Sequence, residues 1–352
     1  MVEFPNPRKR HPFHMHDMIR AQPAYAQETL DRLRELDARA FLGRARNLVV
    51  TGCGTSFHAA LIGARLLQEG LGDTAIVRAV HAYDVLHGFT FPRDCTVLGV
   101  SHSGSTSTTN DALALARRSG AATRGLCGLP ESRMNDIADE VLALGSVHDH
   151  SWANTMSYTT QLTAFARLAE AVASRPEELF PSGLGTVPAM LRGALACEPR
   201  VRRLSARVGK SGRVTFLGSG LDEVTALEAA LKIRETCSFP ASGYHIEQFQ
   251  HGPFLSLDRR ESVIAIRSND DADREAEILR GIARTGASVS TMGEAPDVDV
   301  PIPAVARLLR PIVSIVPLQF VAYYVALARK TNPDIMRSDV PRYRPGLAPL
   351  FG

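Results

Sequence analysis

The chain has 352 residues, 45% of them hydrophobic, enough for two domains of ordinary size, each with its own core. Forty basic residues against 37 acidic ones leave a net charge of +3, and there is no basic stripe or aromatic platform, so a nucleic-acid binder is not expected. The five cysteines, Cys53, Cys95, Cys127, Cys197 and Cys237, are scattered without a C-x-x-C pair, which argues against a disulfide framework or a structural zinc site and for a reducing, cytoplasmic setting.

In chain order, the opening "MVEFPNPRKRHPFHMH" is basic but has no apolar stretch behind it, so it is not a secretory signal. Residues 1–45 read as a helical preface, and His11, His14 and His16 as part of a flexible terminus rather than a metal site. A first unit is expected over 46–180. It begins with "NLVVTGCGTS" from Asn47, a strand, glycine turn and helix start, and continues with "TVLGVSHSGS" from Thr96. Residues 101–109, "SHSGSTSTT", put seven hydroxyl side chains and one glycine into nine positions directly after an apolar strand. The stretch 175–188, rich in Pro, Gly and Ser, reads as a hinge.

A second unit is expected over 195–331, because the chain repeats itself. Gly52 in "VTGCGTS" aligns with Gly218 in "FLGSGLD", Thr96 with Ser262 in "SVIAIRSNDD", and Gly120 with Gly286, each pair 166 positions apart. The strands are continuous apolar runs rather than alternating ones, as in parallel sheets covered by helices on both faces. Each half therefore reads as a doubly wound α/β sandwich, with ligands expected beyond the carboxyl ends of its strands. Residues 311–328 approach membrane-span length, but Ser314, Pro317, Gln319 and two tyrosines interrupt them, so a buried core helix is expected and no membrane contact. The tail, 332–352, holds several prolines and no helical period.

The two polar loops of the first half suggest a phosphate. Both open helices, whose free N–H groups and positive dipole ends suit an anion. Ser56, Ser101, Ser103 and Thr106 add hydroxyl donors, and Gly54 and Gly104 allow close backbone approach. Neither loop carries a lysine, so this is not a triphosphate loop. The competing reading is that these residues merely cap helices and fill turns. The second half's counterpart, "RSNDD", lacks most of the hydroxyls, which points to one phosphate site per chain.

In the second half, "TALEAALKIRETC" sets Glu228, Lys232 and Glu235 along one helical face. On pattern alone a solvated ion-pair stripe is the favoured reading. His251, in "EQFQHGP", precedes a Gly-Pro break, where a lone histidine is usually structural.

Taken together, "GCGTSFHAA", "SHSGSTST", "NTMSYTTQL", "ALEAALKIRE" and "HGP" resemble the sugar isomerase (SIS) domain family, from "MHDMIRAQP" near Met15 to the tail. The resemblance is to the isomerase part of glutamine–fructose-6-phosphate aminotransferases and to stand-alone deaminase and deglycase relatives. It implies two tandem flavodoxin-like, three-layer αβα domains with mainly parallel sheets, and a phosphosugar ligand. It further implies that Ser56, Ser101, Ser103 and Thr106 bind phosphate, with Thr55 and His102 lining the loop. Asn154 falls where relatives usually place a sugar-contacting serine. Lys232 and Glu235 match the family's catalytic helix. His251 matches a ring-opening histidine that reaches across a homodimer interface.

Two departures bear on activity. No glutaminase segment precedes the first unit, so release of ammonia from glutamine is not expected. "DVPRYRPG" keeps Asp339, Pro341 and Arg342 but has Gly346 where the aminotransferase relatives carry a lysine. The nearest substitutes, Arg342 and Arg344, cannot form an imine. The expected chemistry is isomerisation or deamination of an amino-hexose 6-phosphate, with His251 as acid/base and Glu235 moving the carbon-bound proton beside Lys232, and with no metal or other cofactor. A phosphosugar sensor and a fructosamine-6-phosphate deglycase are the alternatives.

Overall fold

The structure is a computed structural model that describes residues 6–43, 46–268, 270 and 272–347. Ten strands form two sheets. The first sheet contains β1 (Asn47–Thr51), β2 (Ile76–Ala79), β3 (Cys95–Ser101), β4 (Ala122–Cys127) and β5 (Glu140–Ala143). The second contains β6 (Arg213–Gly218), β7 (Ala241–His245), β8 (Glu261–Arg267), β9 (Ser288–Gly293) and β10 (Val300–Pro301).

The first sheet runs β2-β1-β3-β4-β5 and the second β10-β9-β8-β6-β7, which is the same order read from the other edge. All neighbours are parallel. This is the flavodoxin-like arrangement, with the order reversing beside β1 and β6. The strand starts Asn47, Cys95 and Ala122 recur 166 positions later at Arg213, Glu261 and Ser288. The central strands β3 and β8 are buried at every residue, which is why their sequences carry no polar alternation.

Two long helices fill the space between the sheets. Thr155–Val172 is buried on nearly every face and packs against the helices Thr55–Leu71 and His14–Arg32. Arg310–Ala328 packs on the helices Asp222–Cys237 and Glu198–Val208. Arg307–Ala328 is apolar and long enough to cross a membrane, but 89% of its apolar window is buried inside the protein. Its polar Gln319 is satisfied there, donating to the Thr155 carbonyl at 3.0 Å and accepting from Gln22 at 2.8 Å.

Several expectations for the termini and the hinge change. The N-terminal histidines do not trail. His11 Nδ1 lies 2.6 Å from the Tyr323 hydroxyl, His16 Nε2 lies 2.6 Å from Glu198 Oε1, and His14 Nε2 lies 3.0 Å from the Asn6 carbonyl. The tail is locally helical at Pro341–Tyr343 and Arg344–Leu347. Before that it turns back on the N-terminus, where buried Asp334 accepts from the His14 and Met15 amides at 2.8 and 2.9 Å. A carboxylate there answers the unpaired N–H groups and the dipole of the helix His14–Arg32. Within the expected hinge, Pro176 and Pro188 sit in the first turns of short helices, where proline's missing N–H removes no hydrogen bond.

Candidate active site

Loops after β1, β3 and β5 meet at one end of the first sheet, and each opens a helix. The first two touch, with Thr109 Oγ1 3.8 Å from Cys53 Sγ. Gly54, Thr106 and Asn154 stand at the three helix starts, and none of them caps its helix with a side chain. The capping explanation for these hydroxyls therefore fails at Thr106, while in the other two helices the Ser56 and Phe57 amides donate to the Cys53 and Gly54 carbonyls and the Ser157 amide donates to Asp149. Gly104 (φ +62°) is required in its loop, since a Cβ there would lie 2.2 Å from Ser132 Oγ and 2.7 Å from Cys127 Sγ.

The hydroxyls of the second loop bond to the loop itself. Ser101 Oγ accepts from the Gly104 amide at 3.1 Å and lies 3.1 Å from Thr106 Oγ1. Ser103 Oγ accepts from Ser105 through both its amide, at 3.2 Å, and its hydroxyl, at 2.8 Å. Ser56 Oγ accepts from Gln161 Nε2 at 3.1 Å. Asn154, in the left-handed region at φ +50°, accepts from Ser157 Oγ at 3.3 Å.

His102 does not line this loop. Its ring is buried, and its Nε2 accepts from the Asp149 amide at 2.9 Å. The proton therefore sits on Nδ1, which has no partner. Burial, with His148 beside it, lowers the pKa of His102 to about 3, so the ring is neutral. Its role is to hold Asp149, whose carboxylate accepts from the Ser151 and Ser157 amides at 3.0 and 3.1 Å and so shapes the loop leading to Asn154.

The stripe Glu228, Lys232, Glu235 is not solvated. The Lys232 side chain is 0% exposed and Glu228 1%. The helix Asp222–Cys237 is covered by Arg310–Ala328 on one side and meets Thr55–Leu71 on another, which buries the stripe between the two halves. Lys232 Nζ donates to Glu235 Oε2 at 2.7 Å, to Thr55 Oγ1 at 2.8 Å and to the Ala153 carbonyl at 2.5 Å, and lies 3.2 Å from Glu228 Oε1. Thr55 in turn donates to Glu228 Oε1 at 3.0 Å. His58, which sequence reasoning missed, completes the cluster with its Nδ1 2.6 Å from Glu228 Oε2.

Electrostatics separates the two carboxylates. Burial pushes Glu228 up, but Lys232 and His58 outweigh it and hold the group below its ordinary range. Burial lifts Glu235; Lys232 pulls it down and the charge on Glu228 pushes it up again, leaving it raised. Burial disfavours the Lys232 ammonium, yet Glu228 and Glu235 keep its pKa above the usual lysine value. Glu228 is thus held below the ordinary carboxylate range and Glu235 above it.

Glu235 reaches a cavity of about 580 Å³ whose wall is completed by the tail, with Arg234, Arg337, Tyr343 and Gly346 in its lining. Gly346, where the resemblance places a lysine, therefore does face this space. The arginine filling it is Arg337 rather than Arg342 or Arg344. Arg337 donates to the Tyr343 hydroxyl at 2.7 Å and packs on that ring, whereas Arg344 donates to the Ser338 carbonyl. His251 is not brought to this cluster. Its side chain is 68% exposed, and its Nε2 lies 3.8 Å from Glu247 Oε1.

This is a tandem α/β protein of the flavodoxin-like kind, with one set of helix-opening loops set against a buried carboxylate–ammonium cluster from the other half. Residues 41–171 and 208–329 match the SIS domain model, and the chain belongs to that family. It is 30% identical over 349 residues to the glutamine–fructose-6-phosphate aminotransferase of Gloeobacter violaceus, covering 91% of this chain and 56% of that protein. A Thermococcus kodakarensis protein of the same name is 28% identical, with 93% of this chain and 57% of that protein covered. The chain thus spans about half the length of these curated relatives. Among solved structures, the C-terminal domain of glucosamine-fructose-6-phosphate aminotransferase from Francisella tularensis superposes with a TM-score of 0.83 at 21% identity, over 94% of this chain and 99% of that one. Glucosamine-6-phosphate deaminase from Thermotoga maritima gives 0.75 at 19% identity, over 92% and 98%. Tagatose-6-phosphate ketose/aldose isomerase from Escherichia coli gives 0.77 at 19%, over 94% and 97%. These structural likenesses define the fold.

Proposed function

We propose that the chain is a sugar-phosphate isomerase or deaminase that moves a proton between C1 and C2 of an amino-hexose 6-phosphate of the glucosamine 6-phosphate/fructose 6-phosphate type, without hydrolysing glutamine. The observation that carries this reading is Glu235, a carboxylate of raised pKa opening on a cavity and held by a lysine that also bonds the helix at the phosphate loops. The phosphate rests on the helix starts at Thr55, Ser56, Ser101, Ser103 and Thr106, and this anchoring fixes the reacting carbons against Glu235. Asn154 contacts the sugar. Glu235 takes the proton from one carbon and returns it to the other. Lys232 orients the carboxylate and stabilises the developing enolate oxygen.

Ring opening falls to His251. Its exposure, with its ring near Glu247 rather than the cluster, supports a homodimer in which this histidine serves the second copy's site. No metal or cofactor is required for these steps.

The test is proton NMR in D₂O with glucosamine 6-phosphate, and separately with fructose 6-phosphate plus ammonium. Loss of the C1 or C2 proton signal, abolished in Glu235→Gln, is the expected result. Phosphate-dependent binding without exchange would instead make the chain a phosphosugar sensor.

A further inference from the structure

The helix Glu198–Val208 carries Arg200, Arg203 and Arg207 at steps of three and four, which sets them on one face. All three are exposed, and among the described residues none pairs with a carboxylate or donates a hydrogen bond. Exposed arginines elsewhere are matched locally, as Arg65 is by Glu69, Arg175 by Glu178 and Arg260 by Asp258. Here the helix's single acid, Glu198, is engaged by His16, Arg20 and Tyr324. Like charges at this spacing repel, so the cluster costs the helix stability. Such local conflicts are kept where a function uses them.

The three side chains wall a cavity of about 480 Å³, closed by Leu204 on the helix and by Asp299 and Val300 at the edge strand β10. Asp299 is already engaged, since its Oδ2 accepts from the Thr291 amide at 2.8 Å and from the Thr291 hydroxyl at 3.3 Å. Three guanidinium charges against one carboxylate leave the lining with a formal surplus of two. Planar forks in surplus call for a small ligand with at least two negative charges and several acceptor oxygens. Steps of three and four residues part the arginines by about 4.5 and 6 Å along the axis, which suits adjoining anionic groups better than a single one.

We propose that this cavity binds a diphosphate group, free or esterified, with Arg203 shared between its two phosphoryl groups and Arg200 and Arg207 taking one each. Leu204 and Val300 supply apolar contact for the organic part of an ester. The site shares no residue with the loops after β1, β3 and β5 or with Glu235, so it stands apart from the proton-transfer reading.

The test is calorimetric titration of the whole chain with pyrophosphate, benzyl diphosphate, orthophosphate and citrate. Wild type is expected to bind pyrophosphate at least about tenfold more tightly than orthophosphate or citrate. Arg200→Gln/Arg203→Gln/Arg207→Gln should weaken pyrophosphate about a hundredfold, and the corresponding triple lysine variant should keep part of the affinity. Tighter binding of benzyl diphosphate than of pyrophosphate would mark an ester as the ligand, and equal binding the free anion. Because the substituted side chains are exposed and repel one another, the glutamine variant should melt no lower than wild type at low salt. Pyrophosphate should raise the melting temperature of wild type alone. Pyrophosphate binding that survives the triple glutamine substitution, or that orthophosphate or citrate equals, overturns the site. So does the absence of wild-type binding at about 1 mM pyrophosphate. A glutamine variant melting below wild type would make the arginines structural and overturn it as well.

Discussion

The ammonium of Lys232 donates to the hydroxyl of Thr55 at 2.8 Å, joining the helix after β6 to the first residue of the helix after β1. Two domains that each fold around their own sheet are thereby tied at the point where a ligand would bind. The tie is charged and sealed from water, so its stability depends on every partner being present. Lys232→Met strands Glu228 and Glu235 and should cost about 3–5 kcal/mol in urea denaturation. Thr55→Val removes one acceptor and should cost about 1–3 kcal/mol. Combined, the two should fall short of additivity, because the second loss removes a contact the first has already broken.

Glu235 is expected to act at a cost to the fold. Its pKa in the native protein is raised above the usual 4.5, so the native state binds this proton more tightly than the unfolded chain does. Stability is then greatest below 4.5 and declines as pH rises through the raised native value. Glu235→Gln should remove this dependence, leaving a protein at least as stable as wild type at pH 7 by thermal melting. The same substitution should lower proton exchange by about 10²–10⁴-fold. In wild type, the acid limb of kcat/KM should fall at a pH above the ordinary glutamate value. A limb at or below that value would contradict the burial argument.

The duplicated architecture was legible because buried parallel strands leave a strong mark: "VVT" and "TFLG", "LGVS" and "IAIR" stand in register 166 positions apart. Which face of Asp222–Cys237 is buried was not legible, since helices from both halves cover it and no single apolar stripe marks its inner side. A Glu-Lys-Glu run at helical spacing looks the same in water and in a core. His58 was hidden for another reason. It follows Thr55 by one turn in "GTSFH", but its partner Glu228 lies 170 positions away. A same-face comparison of Thr55 and His58 would have been the available signal. His102 misled in the opposite direction, because membership of a ligand loop says nothing about where one side chain points.

His102 offers a direct check. With its folded pKa at about 3 against 6.5 for a free histidine, it stays neutral while the unfolded chain takes up a proton. Its contribution is fully present above pH 6.5 and is lost as pH falls from there toward 3, amounting to roughly 5 kcal/mol at the lower limit. In NMR titration its ring resonances should not move between pH 8 and 5. His102→Leu leaves the Asp149 amide without its acceptor and should cost about 1–3 kcal/mol at pH 7.

In the second half, a side chain of the chain itself takes the donors at the strand ends that correspond to the loops of the first half. Ser219 and Ser268 follow β6 and β8, at the places held by Cys53 and His102 in the first half. The carboxylate of Glu275, on the helix that follows, accepts from the Ser219 hydroxyl at 3.2 Å and from the Ser268 amide and hydroxyl at 3.3 and 3.4 Å. The chain's own carboxylate thus takes the donors that an external anion would use, with Arg267 3.8 Å away as its counter-ion. Duplicated folds with only one ligand site follow naturally from this substitution. Glu275→Ala should cost about 1–3 kcal/mol by leaving those donors unmet. Inorganic phosphate should then raise the melting temperature of the variant beyond its effect on wild type, reaching about 2.7 kcal/mol of added stability at a hundred times its dissociation constant. Equal phosphate responses in the two proteins would show that these strand ends have no affinity for an external anion, and that Glu275 is an ordinary buried acid rather than a resident ligand.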